Sequence, residues 1–180
     1  MESDHLWYLA YGSNLSEGRF QEYLDRCSEP VTAGERRPTT LPHRLFFAQH
    51  SDRWRGGPAF VDPVVDPGAE TRATAWLLGR EQFLDVLAME NAQSPGTYAN
   101  ASLPSAPGSS LPVATGRYAV VVAVPSPDDR PAFTFTTGAR PLPAPTRAGA
   151  DYIDVIVSGL VADHGLTERE ARAYLAERGA

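Results

Sequence analysis

The sequence contains no lysine: all 16 basic residues among its 180 are arginine. Schiff-base catalysis and phosphate binding by a P-loop both need a lysine amine, so the composition excludes them. Only one cysteine is present, Cys27, so no intrachain disulfide can form. Cys27 continues the apolar face of a predicted helix, which favours a buried structural thiol over a nucleophile.

Long apolar runs and basic runs are also missing. No segment approaches the length of a membrane span. The formal charge is −6, and without a basic stretch nucleic acid and anionic membranes are poor candidate partners. Residues Met1–His5 are acidic and lead directly into an apolar segment, unlike a secretion signal. We therefore expect a cytoplasmic monomer or homodimer that binds neither nucleic acid nor membrane.

The composition, with 42% hydrophobic and 21% charged residues, is that of one globular domain over residues 1–180. Predicted strands dominate the middle and predicted helices flank both ends, which indicates an α+β fold with a curved or closed sheet. The apolar run Tyr118–Val124 predicts a buried central strand. A polar turn is expected at Arg36–Pro38, and the Pro/Ser/Gly-rich segments Ser94–Pro112 and Gly138–Pro145 are expected to form loops.

The segment Leu6–Leu15 predicts a strand that breaks at Gly12 and runs into a helix, with Asn14 or Ser16 as its N-cap. The apolar residues that predict the helix recur at i, i+3, i+4 and i+7, and they are Phe20, Tyr23, Leu24 and Cys27. A glycine turn at a helix start exposes backbone N–H groups that can bind a carboxylate or phosphate. An ordinary polar turn is the alternative interpretation.

Glu90 is the first catalytic candidate. It follows Phe83 and Leu87 on one face of a helix predicted over residues 81–91. Burial there would raise the pKa of the carboxyl group, and such a group suits general acid/base catalysis near neutral pH. The alternative is a glutamate at a frayed helix end that reaches water.

Other chemistries have less support. The four histidines show no ligand spacing, so no metal and no cofactor are expected; they are His5, His43, His50 and His164. Ser13 lacks the second glycine of a nucleophile elbow, because Leu15 stands there. The Trp54–Gly57 segment is either a place where backbone approaches a ligand or a plain turn. Tyr98 either donates its hydroxyl to a substrate or packs.

Four motifs in order resemble the gamma-glutamylcyclotransferase family. Tyr11-Gly12-Ser13-Asn14-Leu15 resembles its signature loop, and Trp54–Ala59 resembles its Trp-x-Gly-Gly segment. The stretch from Leu84 through Glu90 to Tyr98 resembles a helix with an essential glutamate followed by a tyrosine. The closing helix is resembled by Tyr152, Ile156, Gly159 and Gly165-Leu166.

The resemblance implies a mixed, partly closed β-barrel with flanking helices. It implies release of 5-oxoproline from a γ-glutamyl amino acid or amine by attack of the α-amine on the γ-carbonyl, with Glu90 as the proton carrier. Where relatives place a substrate-contacting tyrosine in a late strand, this chain offers Phe133. The implied substrate-binding residues are Tyr11, Gly12, Ser13, Asn14, Leu15, Gly57, Tyr98 and Phe133.

Two alternatives to peptide turnover stay open. One is a non-catalytic domain that binds a small ligand or a partner on the same fold. The other is a biosynthetic enzyme that removes a γ-glutamyl protecting group, which differs only in the leaving amine. Under the catalytic interpretation, the loops 94–112 and 138–145 are predicted to border the cavity and to set the preference for that amine.

Overall fold

The fold is a mixed α+β arrangement of eight strands and four α-helices over the residues that the computed structural model describes, 5–180. Residues 1–4, on which the interpretation of the N-terminus depends, lie outside this range. The strands are β1 His5–Ala10, β2 Arg36–Leu41, β3 Leu45–Phe47, β4 Ala59–Val61, β5 Thr71–Gly79, β6 Ser110–Pro112, β7 Val120–Ala123 and β8 Ala132–Thr136. The helices are α1 Glu17–Leu24, α2 Arg80–Glu90, α3 Ala150–His164 and α4 Glu168–Ala176, with a 3-10 turn at Ser13–Leu15.

Six strands form one sheet in the order β2-β5-β1-β8-β7-β6, and β3 and β4 form a second, smaller sheet. The β1–β8 pair is parallel and the other pairs are antiparallel. The predicted α+β class and mixed sheet are confirmed. Closure of the sheet into a barrel is not confirmed. The contact between β4 and the end of β8 is made by a side chain: the Thr136 hydroxyl donates to the Val61 carbonyl at 2.6 Å.

Both faces of the large sheet are covered, and β1 shows how. Leu6 and Tyr8 face the core that contains Phe83 of α2, whereas Trp7 and Leu9 face the core beneath α3. Because successive side chains of a strand point to opposite faces, an unbroken apolar run is what two covered faces require. The C-terminal end of β1, where the chain leaves the sheet, therefore lies between two helical layers.

Two sequence predictions of secondary structure are wrong. Arg36–Pro38 is not a turn but the start of β2, an edge strand that pairs only with β5. An edge strand tolerates Pro38 because the missing N–H leaves no neighbour unsatisfied. The strand within Tyr118–Val124 is not central but second from the edge, since residues 110–112 of the predicted loop form the edge strand β6.

Helix α3 packs closely on the 3-10 turn because position 159 is glycine. A Cβ added to Gly159 would lie 2.5 Å from the Leu15 carbonyl carbon, so any side chain would push the helix and the turn apart. Helix α3 ends at Gly165, whose φ of 63° lies in the left-handed region. A capping box of Thr167 and Glu170 begins α4. No helix within residues 5–180 has the length and hydropathy to span a membrane.

Candidate active site

A cavity of about 350 Å³ lies where β1 ends, between the 3-10 turn and the C-terminal end of α2. Tyr11, Gly12, Ser13 and Asn14 line it, and Glu90 reaches into it from the last position of α2. The fold therefore brings together the two motifs that are 76 residues apart in sequence at Asn14 and Glu90.

Asn14 holds Glu90 directly. Its amide Nδ2 donates to Glu90 Oε1 at 2.9 Å and to the Tyr8 hydroxyl at 3.2 Å. The turn itself is anchored from below, because the Trp76 indole N–H donates to the Asn14 carbonyl at 2.9 Å. A buried aromatic side chain of β5 thus fixes the backbone whose side chain orients the carboxylate.

Burial raises the pKa of the Glu90 carboxyl group above its ordinary value. The charges of Arg19 and Arg117 and hydrogen bonds from Asn14 and Tyr23 work in the opposite direction, but burial has the larger effect. Glu90 is half-buried and lines the cavity, so it is not the water-exposed glutamate of a frayed helix end. The Glu90 carboxyl group therefore holds a proton more readily than an exposed glutamate does, a property that suits general acid/base catalysis.

Four tyrosine hydroxyl-bearing rings that the sequence analysis did not assign to the site surround this carboxylate. They are Tyr8, Tyr23, Tyr118 and Tyr152. Burial raises the pKa of each of them, so all stay protonated and act as neutral hydrogen-bonding groups. Two of them have assigned partners on one residue: the Tyr118 hydroxyl donates to the Ala59 carbonyl, and the Ala59 N–H donates to the Tyr152 hydroxyl, each at 3.1 Å.

Four arginines line the cavity, and the sequence did not predict them. They are Arg19, Arg26, Arg53 and Arg117. Arg19 lies over the Tyr23 ring at 4.3 Å, an i, i+4 contact on α1 that the sequence could have signalled. Arg117 comes from a distant segment and donates to the His50 carbonyl at 2.6 Å, which no local pattern predicts.

Four of the predicted substrate-binding residues do not line the cavity, and each has a structural role instead. Leu15 is buried against α3 at Gly159. Tyr98 packs beside the α2 core, and its hydroxyl accepts from the Thr115 N–H at 3.3 Å. Phe133 packs on Phe83 with ring centroids 5.9 Å apart. The cavity is reached instead by the residue two positions along β8, Phe135, on the same face of the strand.

The fourth is Gly57, which, like Gly56 beside it, packs closely against the backbone of another segment. A Cβ on Gly57 would lie 2.6 Å from the Thr146 carbonyl oxygen, and one on Gly56 would lie 2.4 Å from the Gly149 nitrogen. The Gly57 N–H donates to the Arg147 carbonyl at 2.8 Å. These glycines permit close backbone packing against the segment before α3.

The prediction that the loops 94–112 and 138–145 border the cavity is wrong. No residue of 94–112 or 138–145 lines the cavity. Residues 104–107 instead border a separate cavity beside Phe133 and Asp128. Residues within 51–59 line the first cavity together with Arg117, which is held beside them by hydrogen bonds to Gln49 and His50.

Two buried polar atoms at the cavity have no hydrogen-bond partner within residues 5–180. They are Oδ1 of Asn14 and Nε of Arg19. Buried polar groups are nearly always paired, so an acceptor and a donor left open at one cavity indicate a site that binds a polar ligand. Within the same range, no group of three His, Cys, Asp or Glu side chains could hold a metal ion. Metal-free action stays a prediction.

The protein has a mixed-sheet α+β fold with a small polar cavity that contains one carboxyl group of raised pKa. Its fold is that of the gamma-glutamyl cyclotransferases. A solved gamma-glutamyl cyclotransferase is similar with a TM-score of 0.56 at 18% identity, covering 94% of this chain and 87% of that one. An uncharacterised human protein of known structure is similar with a TM-score of 0.58 at 18% identity, covering 94% and 88%.

The sequence comparisons give a different protein. The chain is 29% identical over 205 aligned residues to histone deacetylase 5 of Arabidopsis thaliana. The alignment covers 94% of this chain but only 30% of that protein, so the chain spans less than a third of its curated relative. No protein-family model matches the chain.

Proposed function

We propose that this chain is a cyclotransferase that releases 5-oxoproline from a γ-glutamyl amino acid or amine. The observation that carries the proposal is Glu90: a half-buried carboxyl group with a raised pKa, held by Asn14 inside a cavity of about 350 Å³. The cavity volume suits a molecule of dipeptide size. The fold shared with a gamma-glutamyl cyclotransferase supports the proposal, while the reaction rests on the site's own chemistry.

The reaction needs one proton carrier and correct geometry. The α-nitrogen of the glutamyl group bonds to its own γ-carbonyl carbon, and the bond from that carbon to the leaving nitrogen breaks. The α-ammonium nitrogen loses two protons as it becomes the ring N–H, and the leaving nitrogen gains two as it departs as an ammonium group. Glu90 carries these protons from one nitrogen to the other, so no other reagent is consumed. Folding the substrate so that the amine meets the carbonyl makes the step intramolecular, which lowers its entropic cost.

The turn at Gly12–Asn14 is the proposed seat of the glutamyl end. The first N–H groups of a helical turn have no partner within that turn, and here the Ser13 N–H faces the Tyr152 hydroxyl. The Ser13 N–H and the Tyr152 hydroxyl are the proposed hydrogen-bonding groups for an anion or a developing oxyanion. The unpaired Oδ1 of Asn14 is an acceptor for the α-ammonium group beside Glu90. One side chain would thereby orient both the proton donor and the proton carrier.

A panel of γ-glutamyl amino acids and γ-glutamyl amines tests the proposal, with 5-oxoproline detected by mass spectrometry. Glu90→Gln preserves the contact with Asn14 but cannot carry a proton, so turnover should fall by on the order of a hundredfold. The matched control is Glu81→Gln, the same substitution at an exposed position in the first turn of the same helix. It should keep wild-type turnover.

Two outcomes would contradict the proposal. Near wild-type turnover in a folded Glu90→Gln variant would remove Glu90 from the mechanism. Binding of γ-glutamyl compounds without release of 5-oxoproline from any of them would favour the non-catalytic alternative, a ligand-binding domain on this fold.

A further inference from the structure

The charge at the cavity mouth is opposite to that of the protein. The chain as a whole carries a formal charge of −6, yet four of the five charged residues that line the cavity are arginines. Glu90 is the acidic residue among those that line the cavity. A local reversal of this kind concentrates anions at the entrance of an otherwise acidic protein.

The arginines are only partly neutralised within residues 5–180. Glu22 pairs with Arg19 at 2.6 Å and with Arg53 at 3.1 Å, so one carboxylate serves two guanidinium groups. Arg117 has the uncharged partners Gln49 and His50 carbonyl oxygen. With Glu22 and Glu90 set against the four arginines, two positive charges remain without a counter-charge.

Arg19 differs from an ordinary surface charge. Its side chain is only 7% exposed, and its Nε–H has no partner although it is buried at the cavity. A buried guanidinium donor left open costs free energy unless something arrives to accept its hydrogen bond. Arginine presents several donors in a planar fork that matches carboxylate and phosphate groups.

We propose that the leaving amine of the substrate carries two negative charges, as an acidic amino acid or a phosphate monoester of an amine does. This rests on the proposed cyclotransferase function. A γ-glutamyl group joined to a neutral amino acid has a net charge of −1, whereas one joined to such a dianionic amine has −2 or more and matches the two positive charges in excess. A cationic or uncharged leaving amine would leave the arginine cluster unbalanced.

The test compares γ-glutamyl-glutamate with γ-glutamyl-glutamine, which have nearly the same shape and differ by one charge. The glutamate dipeptide should have a kcat/KM about fivefold higher, the size of one partly exposed charge pair. That preference should disappear in Arg117→Gln and in Arg53→Gln. It should persist in Arg169→Gln, which removes the same charge from the exposed face of α4. γ-Glutamyl-phosphoserine against γ-glutamyl-serine distinguishes phosphate from carboxylate recognition.

The outcomes separate the two proposals. Equal kcat/KM values for both dipeptides in the wild type would overturn this inference and leave the cyclotransferase function intact. If no substrate releases 5-oxoproline, calorimetric titration with the same dipeptides decides. Tighter binding of the glutamate dipeptide that is lost in Arg117→Gln and Arg53→Gln would support the anion site alone, and equal binding would overturn it.

Discussion

Replacing Gly159 by alanine should separate α3 from the turn that carries Asn14. The added Cβ would lie 2.5 to 2.7 Å from three atoms of Leu15, of which two are backbone atoms that cannot rotate away. Forcing extra volume into a packed site costs about 1–3 kcal/mol. An alanine in a helix recovers about 1 kcal/mol relative to glycine. We therefore expect a net loss of up to about 2 kcal/mol of unfolding free energy, with about 1 kcal/mol at the centre of the range.

Thermal unfolding followed by circular dichroism measures the effect. For a chain of this size, 1 kcal/mol shifts Tm by about 2–4 °C, so Gly159→Ala should lower Tm by about 3 °C at the centre of the range and by up to about 8 °C. The matched control is Gly18→Ala in α1, where an added Cβ meets no atom within 4 Å. There only the gain in helix propensity acts, and Tm should rise by about 2 °C. If Gly159→Ala is as stable as Gly18→Ala, the close packing of α3 on the turn is refuted.

Two further predictions concern the same region. The pKa of Glu90 is higher in the folded than in the unfolded chain, so wild-type stability should fall as pH rises through the interval between the two pKa values. The Tm of Glu90→Gln minus the Tm of the wild type should therefore increase from pH 4 to pH 8. A constant difference would contradict the raised pKa. A Cβ on Gly12 would lie 2.8 Å from the Tyr152 hydroxyl oxygen. Gly12→Ala and Tyr152→Phe should each lower the free energy of unfolding measured in urea, but the double variant should lose about 1 kcal/mol less than the sum of the two single losses. Strict additivity would refute the clash.

The part of the site that the sequence predicted lies on regular elements. Glu90 was found because the helical period places it after Phe83 and Leu87, and Asn14 because a glycine turn follows an apolar strand. In β8 the family resemblance gave the face of the strand that reaches the cavity but not the position along it. Phe133 and Phe135 share that face and both pack on Phe83, with ring centroids 5.9 and 6.0 Å apart, yet only Phe135 lines the cavity.

The parts that the sequence did not predict depend on contacts between distant segments. Arg117 reaches the rim through hydrogen bonds to residues 68 and 67 positions away. Gly56 and Gly57 are conspicuous in the sequence, but their partners are backbone atoms at 146–149, about ninety residues later. The start of β2 at Arg36–Pro38 was missed because local propensity opposes it, and pairing with β5 overrides that propensity.

The floor and the rim of the cavity come from separate stretches of the chain. Asn14 and Glu90 form the floor at the ends of β1 and α2, where Trp76 and α3 fix them. The rim lies on residues 51–59, which are fastened to the segment before α3 through the Gly57–Arg147 hydrogen bond. Side chains on that rim can therefore be exchanged during evolution without disturbing the hydrogen bond between Asn14 and Glu90. Descendants of such a protein can change what the cavity admits while they inherit its floor unchanged.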